Sequence, residues 1–125
     1  MRICLALLYY DRSRPAATPA AYLEQRHFLP ALARALAERG HQVDAVVLFE
    51  GDAELQRDGV GYHFVAASPI ERAVAAAAGR LGRTRGSDDR FVRRAAGQVR
   101  SLRPDVVHFV GLNLYWALHI LLRTL

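Results

Sequence analysis

The chain has 125 residues, of which 52% are apolar, and it carries a formal net charge of +5. This size suits one domain with a hydrophobic core of its own. Its one cysteine, Cys4, excludes an internal disulfide and is typical of a reducing compartment. All 17 basic residues are arginines, which excludes chemistry that needs a lysine, such as a P-loop or a Schiff base.

The first predicted element is a strand followed by a loop. Residues 3–10 form a continuous apolar run, which is typical of a strand covered on both faces in a parallel sheet. The next residues, DRSRPAATPAA at 11–21, predict a loop because prolines and small residues do not hold a regular element.

A helix is predicted from Tyr22 onward. Its apolar residues recur at spacings of three and four on one face: Phe28, Leu29, Leu32, Ala33 and Leu36. Pro30 either kinks this helix or marks the first turn of a second segment. Gly40 ends the helix, and residues 42–50, QVDAVVLFE, predict a second buried strand.

The middle of the chain predicts a third strand at an edge of the sheet. Residues 51–59 are polar and predict a connection, and residues 60–67, VGYHFVAA, predict a short strand. Tyr62 and Phe64 alternate with His63, so this strand is expected to have one side exposed.

The last third predicts two helices, a fourth strand and a final helix. Residues 70–82 are alanine-rich and predict a helix, and residues 89–102 predict another with Ser87 or Asp88 as its N-cap. Pro104 ends it, and residues 105–110, DVVHFV, predict the fourth strand. The order of elements predicts an α/β fold with an open sheet and right-handed crossovers.

Eight arginines lie between Arg80 and Arg103, with Asp88 and Asp89 as the acidic residues among them. They could form a solvated helix face, or a patch that binds the phosphates of nucleic acid or of lipid headgroups. No aromatic residue is interleaved on the exposed face and no nucleic-acid-binding motif is present, which favours the solvated face.

Few single residues indicate chemistry. His108 lies late in the fourth strand, where it could act as a general base or bind a ligand, or be a buried imidazole bonded to backbone carbonyls. Asn113, just past Gly111, is either a helix N-cap or a ligand contact. Glu24 and His27 are three residues apart, which without further ligands indicates a helix face, so no metal site is predicted.

Three segments together resemble the N-terminal domain of GT-B glycosyltransferases, and the large retaining family 4-like group of sucrose, mannosyl and cell-envelope transferases in particular. They are MRICLALLYY at the start, LARALAERGHQVDAVVLFE from residue 32, and RPDVVHFVGL from residue 103. The resemblance implies a Rossmann-like three-layer sandwich, with an open, mostly parallel sheet in the strand order 3-2-1-4.

The resemblance also implies a function and its residues. A complete enzyme would move a sugar from a nucleotide-sugar to a hydroxyl acceptor (a sugar, a lipid or a small molecule) without a metal or another cofactor. The loop after the first strand would face the donor phosphates and the acceptor, and His108 would lie on the wall of the cleft as the catalytic candidate. The substrate-binding candidates are Tyr10, Asp11, Arg12, Arg14, Thr18, Gly111 and Asn113.

The sequence departs from the family in three respects. The first loop has AATPAA in place of the usual glycine pair, and Val110 stands where the family often has a second histidine. Residues 1–125 match part of the N-terminal domain, and a nucleotide-sugar domain is absent from them. The fourth strand is therefore expected to be an edge that pairs with other chains.

This incompleteness predicts a chain that is inactive alone and needs a donor domain or a partner chain. The expected location is cytoplasmic, with a possible membrane contact through the arginines. The alternative functions are a non-enzymatic flavodoxin-like binding or regulatory domain and, third, a basic nucleic-acid-binding module.

Overall fold

The structure, a computed structural model, describes residues 1–8, 16–66, 77, 85–110 and 115–125. These residues contain five strands and four helices: β1 (Arg2–Leu7), α1 (Pro19–Gln25), α2 (Phe28–Glu38), β2 (Gln42–Leu48), β3 (Ala53–Arg57), β4 (Val60–Val65), α3 (Arg85–Ser101), β5 (Val106–Phe109) and α4 (Tyr115–Thr124). The helix predicted at 70–82 lies outside the described residues, apart from residue 77.

The five strands form one mixed, mostly parallel sheet in the order β3–β4–β2–β1–β5. β1 pairs in parallel with β2 on one side and with β5 on the other, and β4 pairs in parallel with β2. The predicted order of the four parallel strands is therefore confirmed.

Two predictions about the third strand are wrong. Residues 53–57 are not a connection but form β3, which pairs antiparallel with β4, so β4 lies inside the sheet and not at its edge. Asp58 and Gly59 form the two-residue turn between β3 and β4, and both have positive φ angles, 53° and 76°. An Asp-Gly pair with these angles is typical of a tight hairpin turn.

The first helical region is two helices, with Pro30 in the first turn of the second. α1 begins at Pro19, so the loop predicted at 11–21 is too long. The Thr18 hydroxyl oxygen accepts a hydrogen bond from the Ala21 backbone N–H at 3.1 Å, which caps α1, and Pro19 suits its first position. α2 ends before Gly40, whose φ of 89° suits a helix C-terminus.

α3 begins at Arg85, earlier than predicted. Ser87 and Asp88 therefore lie within the helix and are not its N-cap. Ala95 and Val99 are fully buried, whereas Arg93 and Arg100 are exposed. The predicted solvated face is confirmed at these two positions.

The helices cover both faces of the sheet, which confirms the three-layer sandwich. α1 and α2 bury Tyr22, Leu23, Leu29 and Ala33 against the face that carries Leu5, Ala45 and Tyr62. α3 and α4 bury Val92, Ala95, Val99, Ala117 and Leu121 against the face that carries Ala6, Val46 and Val65. Alternate residues of each strand point to opposite faces, so both faces of β1 are apolar, as its continuous apolar run predicted. β2 is also covered on both faces, although Asp44 interrupts its apolar residues on the α3–α4 face.

Candidate functional site

The sheet has a topological switch point between β1 and β5. The chain leaves β1 toward β2 on one side, and β5 later adds on the other side. The carboxyl ends of the two strands are level, because Ala6 pairs with Phe109 and the Val110 N–H donates to the Ala6 carbonyl at 2.9 Å. In open α/β sheets, ligands bind in the crevice beyond the strands at such a point.

His108 lies near this switch point, one residue before the end of β5. It pairs with Leu5, so its side chain lies on the face covered by α1 and α2. The side chain is exposed, and the described residues include no hydrogen-bond partner for its imidazole. The interpretation of His108 as a buried imidazole is therefore wrong, and a ring accessible to a ligand remains.

Thr18 is the candidate from the first loop that the structure describes. It is exposed, and its hydroxyl oxygen is already engaged in capping α1, which leaves its O–H free to act as a donor. Ala16 and Leu8 are buried on either side of the remaining loop. The other substrate-binding candidates lie outside the described residues: Tyr10, Asp11, Arg12, Arg14, Gly111 and Asn113.

Three aromatic rings fix α1 beside the carboxyl edge of the sheet. Tyr22 of α1 meets Phe49 and Phe64 edge-on, with ring centroids 6.0 and 5.8 Å apart. Phe49 directly follows β2, and Phe64 lies near the end of β4. α1, and with it the capping residue Thr18, is thereby held near the carboxyl edge of the sheet.

A scan against protein families matches residues 27–125 to the family described as Glycosyltransferase Family 4. The chain belongs to glycosyltransferase family 4. The searches of curated proteins and of solved structures gave no match.

The family match includes β2, β5 and His108, and it begins after β1 and α1. Two of the three segments that carried the resemblance, those from residues 32 and 103, lie within it. It supports glycosyl transfer as the general activity of the family 4 chain.

A second group of polar side chains, which the sequence did not indicate, lies on the other face of the sheet. His63 Nε2 is 2.9 Å from Asp44 Oδ1, and His63 Nδ1 is 3.5 Å from Glu54 Oε1. The three residues come from β4, β2 and β3, so they meet only because the hairpin places β3 beside β4. The side chains of His63 and Asp44 are 12% and 16% exposed, and Glu54 is 76% exposed.

Gly61 makes room for this group. A Cβ atom at Gly61 would lie 2.6 Å from Asp44 Oδ1 and 3.1 Å from Gln56 Nε2. A glycine in the interior of a strand often marks such a close approach.

Asp52 and Arg94 join the hairpin to α3 next to this group. The Arg94 guanidinium donates to both oxygens of Asp52, at 2.6 and 3.2 Å, and to the Ala66 carbonyl. The Ala66 N–H donates to Asp52 Oδ1 at 2.8 Å. A pocket of about 350 Å³ lies between α3 and the hairpin, and its lining includes Asp52, Glu54, His63, Arg94 and Gln98.

The same contacts bear on the arginine-rich segment. Arg94 is held by Asp52 and a backbone carbonyl, so it does not extend an exposed phosphate-binding row with Arg93. No described helix is long and apolar enough to cross a membrane.

Cys4 is not a nucleophile in this fold. Burial, and to a smaller extent the neighbouring Asp44 carboxylate, raise the pKa of its thiol to about 12. Since the thiolate is the reactive form, a neutral buried thiol is inert.

Among the described residues, no group of three or more His, Cys, Asp or Glu side chains is arranged to hold a metal ion. Glu24 is the penultimate residue of α1, whereas His27 lies between α1 and α2, so the two do not share one helix face.

Proposed function

We propose that this family 4 chain is the acceptor-side, Rossmann-like domain of a GT-B glycosyltransferase, which moves a sugar from a nucleotide-sugar to a hydroxyl acceptor. The observation that carries the proposal is the topological switch point at the carboxyl ends of β1 and β5, with the exposed His108 one residue before the end of β5. The family match over residues 27–125 supports the class of reaction.

His108 is the proposed catalytic residue. Its accessible imidazole can accept a proton from the acceptor hydroxyl, or hold that hydroxyl by a hydrogen bond. Removal of the proton makes the oxygen a better nucleophile toward the sugar carbon that leaves the nucleotide. As the proton leaves the acceptor, the bond between the sugar and the nucleotide phosphate breaks, and the phosphate takes that electron pair.

The loops at the crevice would position the two substrates. Arg12 and Arg14 supply guanidinium groups, which bind phosphate oxygens by paired hydrogen bonds. Tyr10, Asp11 and Thr18 offer hydrogen bonds to acceptor hydroxyls from the same loop. Gly111 and Asn113 follow β5 in the sequence. On this proposal they form the part of the binding wall next to His108.

The donor is proposed to bind to a second domain or to a partner chain that faces the crevice. On this proposal residues 1–125 supply one wall of the cleft, and by themselves they bind no nucleotide-sugar. Calorimetry of the chain with UDP-glucose and with GDP-mannose should show no binding, and micromolar binding of either would contradict the division of roles.

The test of His108 uses the enzyme together with its donor domain. His108→Ala is expected to lower kcat by about 10²–10⁴-fold, which is the usual contribution of a general base. His119→Ala is the matched control, because His119 is an exposed histidine of α4, a helix that packs on the opposite face of the sheet from His108. Equal activity of the two variants would show that His108 has no catalytic role.

A further inference from the structure

The contacts of His63 with Asp44 and Glu54 depend on one proton. His63 Nε2 lies 2.9 Å from Asp44 Oδ1, whereas Nδ1 is buried, has no hydrogen-bond partner and lies 3.5 Å from Glu54 Oε1. We propose that protonation of His63 regulates how β3 is attached to the sheet. The protonated ring attracts both carboxylates and so fastens β3 to β2 across β4, and the neutral ring holds Asp44 alone and releases Glu54. This device lies on the α3–α4 face of the sheet and is independent of the proposed glycosyl transfer.

Asp44 determines which nitrogen of His63 gains and loses the proton. A carboxylate only accepts hydrogen bonds, so Nε2 keeps its hydrogen and donates it to Asp44 Oδ1. In the neutral ring Nδ1 therefore has a lone pair, which faces the negatively charged Glu54 carboxylate and repels it. Protonation places an N–H on Nδ1, and the same contact becomes an attraction between opposite charges.

The two carboxylates respond differently because their burial differs. The side chains of His63 and Asp44 are 12% and 16% exposed, so water competes little for their hydrogen bond and it persists in both states. Glu54 is 76% exposed, so water solvates its carboxylate once it turns away from the neutral ring. Glu54 is therefore the part that moves, and His63 with Asp44 is the part that stays fixed.

The other charged groups near the imidazole leave these two carboxylates in control. Arg94 of α3 and Asp52 line the same pocket, but the guanidinium is paired with the Asp52 carboxylate at 2.6 Å. On β1, next to Asp44, the Cys4 thiol is neutral because burial raises its pKa to about 12. The described residues that α4 buries on this face are apolar.

The direction of the effect follows from these charges. Histidine is the side chain that ordinarily changes its charge between pH 5 and 8, so the contact responds within the physiological range. A fall in pH tightens the contact with Glu54, and a rise in pH frees Glu54, which forms part of the wall of the pocket of about 350 Å³ beside α3. β3 is an edge strand that pairs with β4 alone, so a second connection to β2 affects β3 more than any other strand.

The first experiment is a pH titration of the 125-residue chain, followed by nitrogen NMR of its imidazoles. At pH 8.5 the ring of His63 should carry its hydrogen on Nε2, and acid should then protonate Nδ1. Glu54→Gln removes the negative charge that faces Nδ1, so half-protonation of His63 should need a pH lower by about 0.2–0.7 unit, which is the usual strength of a pair with one exposed partner. Glu24→Gln is the matched control, because it removes an exposed carboxylate from α1, on the opposite face of the sheet, and it should leave the midpoint of His63 unchanged.

Hydrogen exchange of the β3 amides measures the attachment of the strand. After correction for the intrinsic pH dependence of exchange, protection of β3 relative to β1 should fall by about 1.5–5-fold between pH 5.5 and 8.5 in the wild type, and less in Glu54→Gln. The proposal is overturned if the neutral ring carries its hydrogen on Nδ1, or if Glu54→Gln leaves the midpoint of His63 at its wild-type value. Equal relative protection of β3 at the two pH values in the wild type overturns it as well.

Discussion

Gly61 shows how one missing side chain allows a buried polar group inside an apolar sheet. Its neighbours in space are the oxygen of Asp44 and the amide of Gln56, both within 3.1 Å of where a Cβ would lie. Asp44 and His63 satisfy each other by a hydrogen bond, which offsets the cost of burying them. The group therefore depends on a position that admits only glycine.

Gly61→Ala is expected to destabilise the fold by about 1–3 kcal/mol, the usual cost of adding a methyl group to a filled site. The reason is the 2.6 Å approach to Asp44 Oδ1, which forces Asp44 away from His63. Gly97→Ala is the control, because a Cβ there meets no atom within 4 Å in the middle of α3, and it should stabilise the helix by about 0.5–1 kcal/mol. Urea unfolding measures both; a Gly61→Ala midpoint at or above that of the wild type would show that the group adapts freely.

Tyr22 makes the free energy of unfolding depend on pH in the alkaline range. Burial raises the pKa of its phenol from 10.0 to about 12, although the nearby Arg26 guanidinium opposes this. Below pH 10 the phenol is neutral in both the folded and the unfolded chain. Above pH 10 it ionises in the unfolded chain first, so the stabilisation it contributes is lost as the pH rises toward 12.

Tyr22→Phe is expected to remove this dependence. The variant should be as stable as the wild type at pH 7, or more stable by about 1 kcal/mol, because the buried hydroxyl of Tyr22 has no hydrogen-bond partner. Between pH 10 and 12 its free energy of unfolding should fall less steeply than that of the wild type, and thermal unfolding across this range measures the difference. Parallel curves for the two proteins would mean that Tyr22 ionises equally in both states.

At the scale of elements, the hairpin of β3 and β4 is joined to α3 by Asp52 and Arg94. Arg94 reaches both Asp52 and the carbonyl of Ala66, so it connects the start of β3, the end of β4 and the side of the helix. The charged groups are partly exposed, at 42% and 56%, so solvent screens their attraction and the hydrogen-bond geometry matters more than the charge.

Arg94→Ala is expected to lower the free energy of unfolding by about 1–2 kcal/mol, because the half-buried Ala66 carbonyl loses its donor together with the paired bonds to Asp52. Arg93→Ala removes the same charge from the adjacent, exposed position of α3 and should change stability by less than about 0.5 kcal/mol. Chemical denaturation measures the free energy of unfolding of both variants. The difference between them is the contribution of the Arg94 hydrogen bonds, without the effect of removing a positive charge. Similar losses in the two would attribute the effect to net charge alone.

The elements that the sequence predicts well are those whose pattern is local. β1 is a continuous apolar run, which is typical of a strand covered on both faces, and α2 ends just before Gly40, as predicted. β3 was not predicted because its sequence, AELQR, is mostly polar. The feature of the sequence that indicates this strand is the Asp58–Gly59 pair after it, which is typical of a hairpin turn.

The polar group around His63 could not be predicted from the pattern of its own strand. Alternation in β4 indicates that His63 points away from Tyr62 and Phe64, which is correct, but it does not show what lies there. Asp44 and Glu54 face His63 because of the registers of two different strand pairs, and one of these pairs involves the strand that was missed. His108 was located correctly because the end of a strand is visible in the sequence, whereas its exposure depends on the position of β5 in the sheet.

At the scale of the whole molecule, the two edges of the sheet have different surfaces. β3 carries exposed charged and polar side chains at Glu54, Gln56 and Arg57, which discourage pairing with another strand. β5 has a strand on one side within the described residues, and it exposes Val106, which is 44% accessible, and His108. An uncharged edge of this kind favours the addition of a further strand.

Val106→Lys is expected to reduce self-association of the 125-residue chain, because a lysine on an edge strand opposes pairing with a second edge. The free energy of unfolding should change by less than about 1 kcal/mol, since Val106 is partly exposed and the register of β5 with β1 is retained. Leu122→Lys adds the same charge at another exposed apolar position, on α4, and serves as the control for a general effect of charge on solubility. Sedimentation over a range of protein concentrations should show a larger monomer fraction for Val106→Lys than for Leu122→Lys. If both variants shift the monomer fraction equally, net charge governs association and the β5 edge has no special part in it.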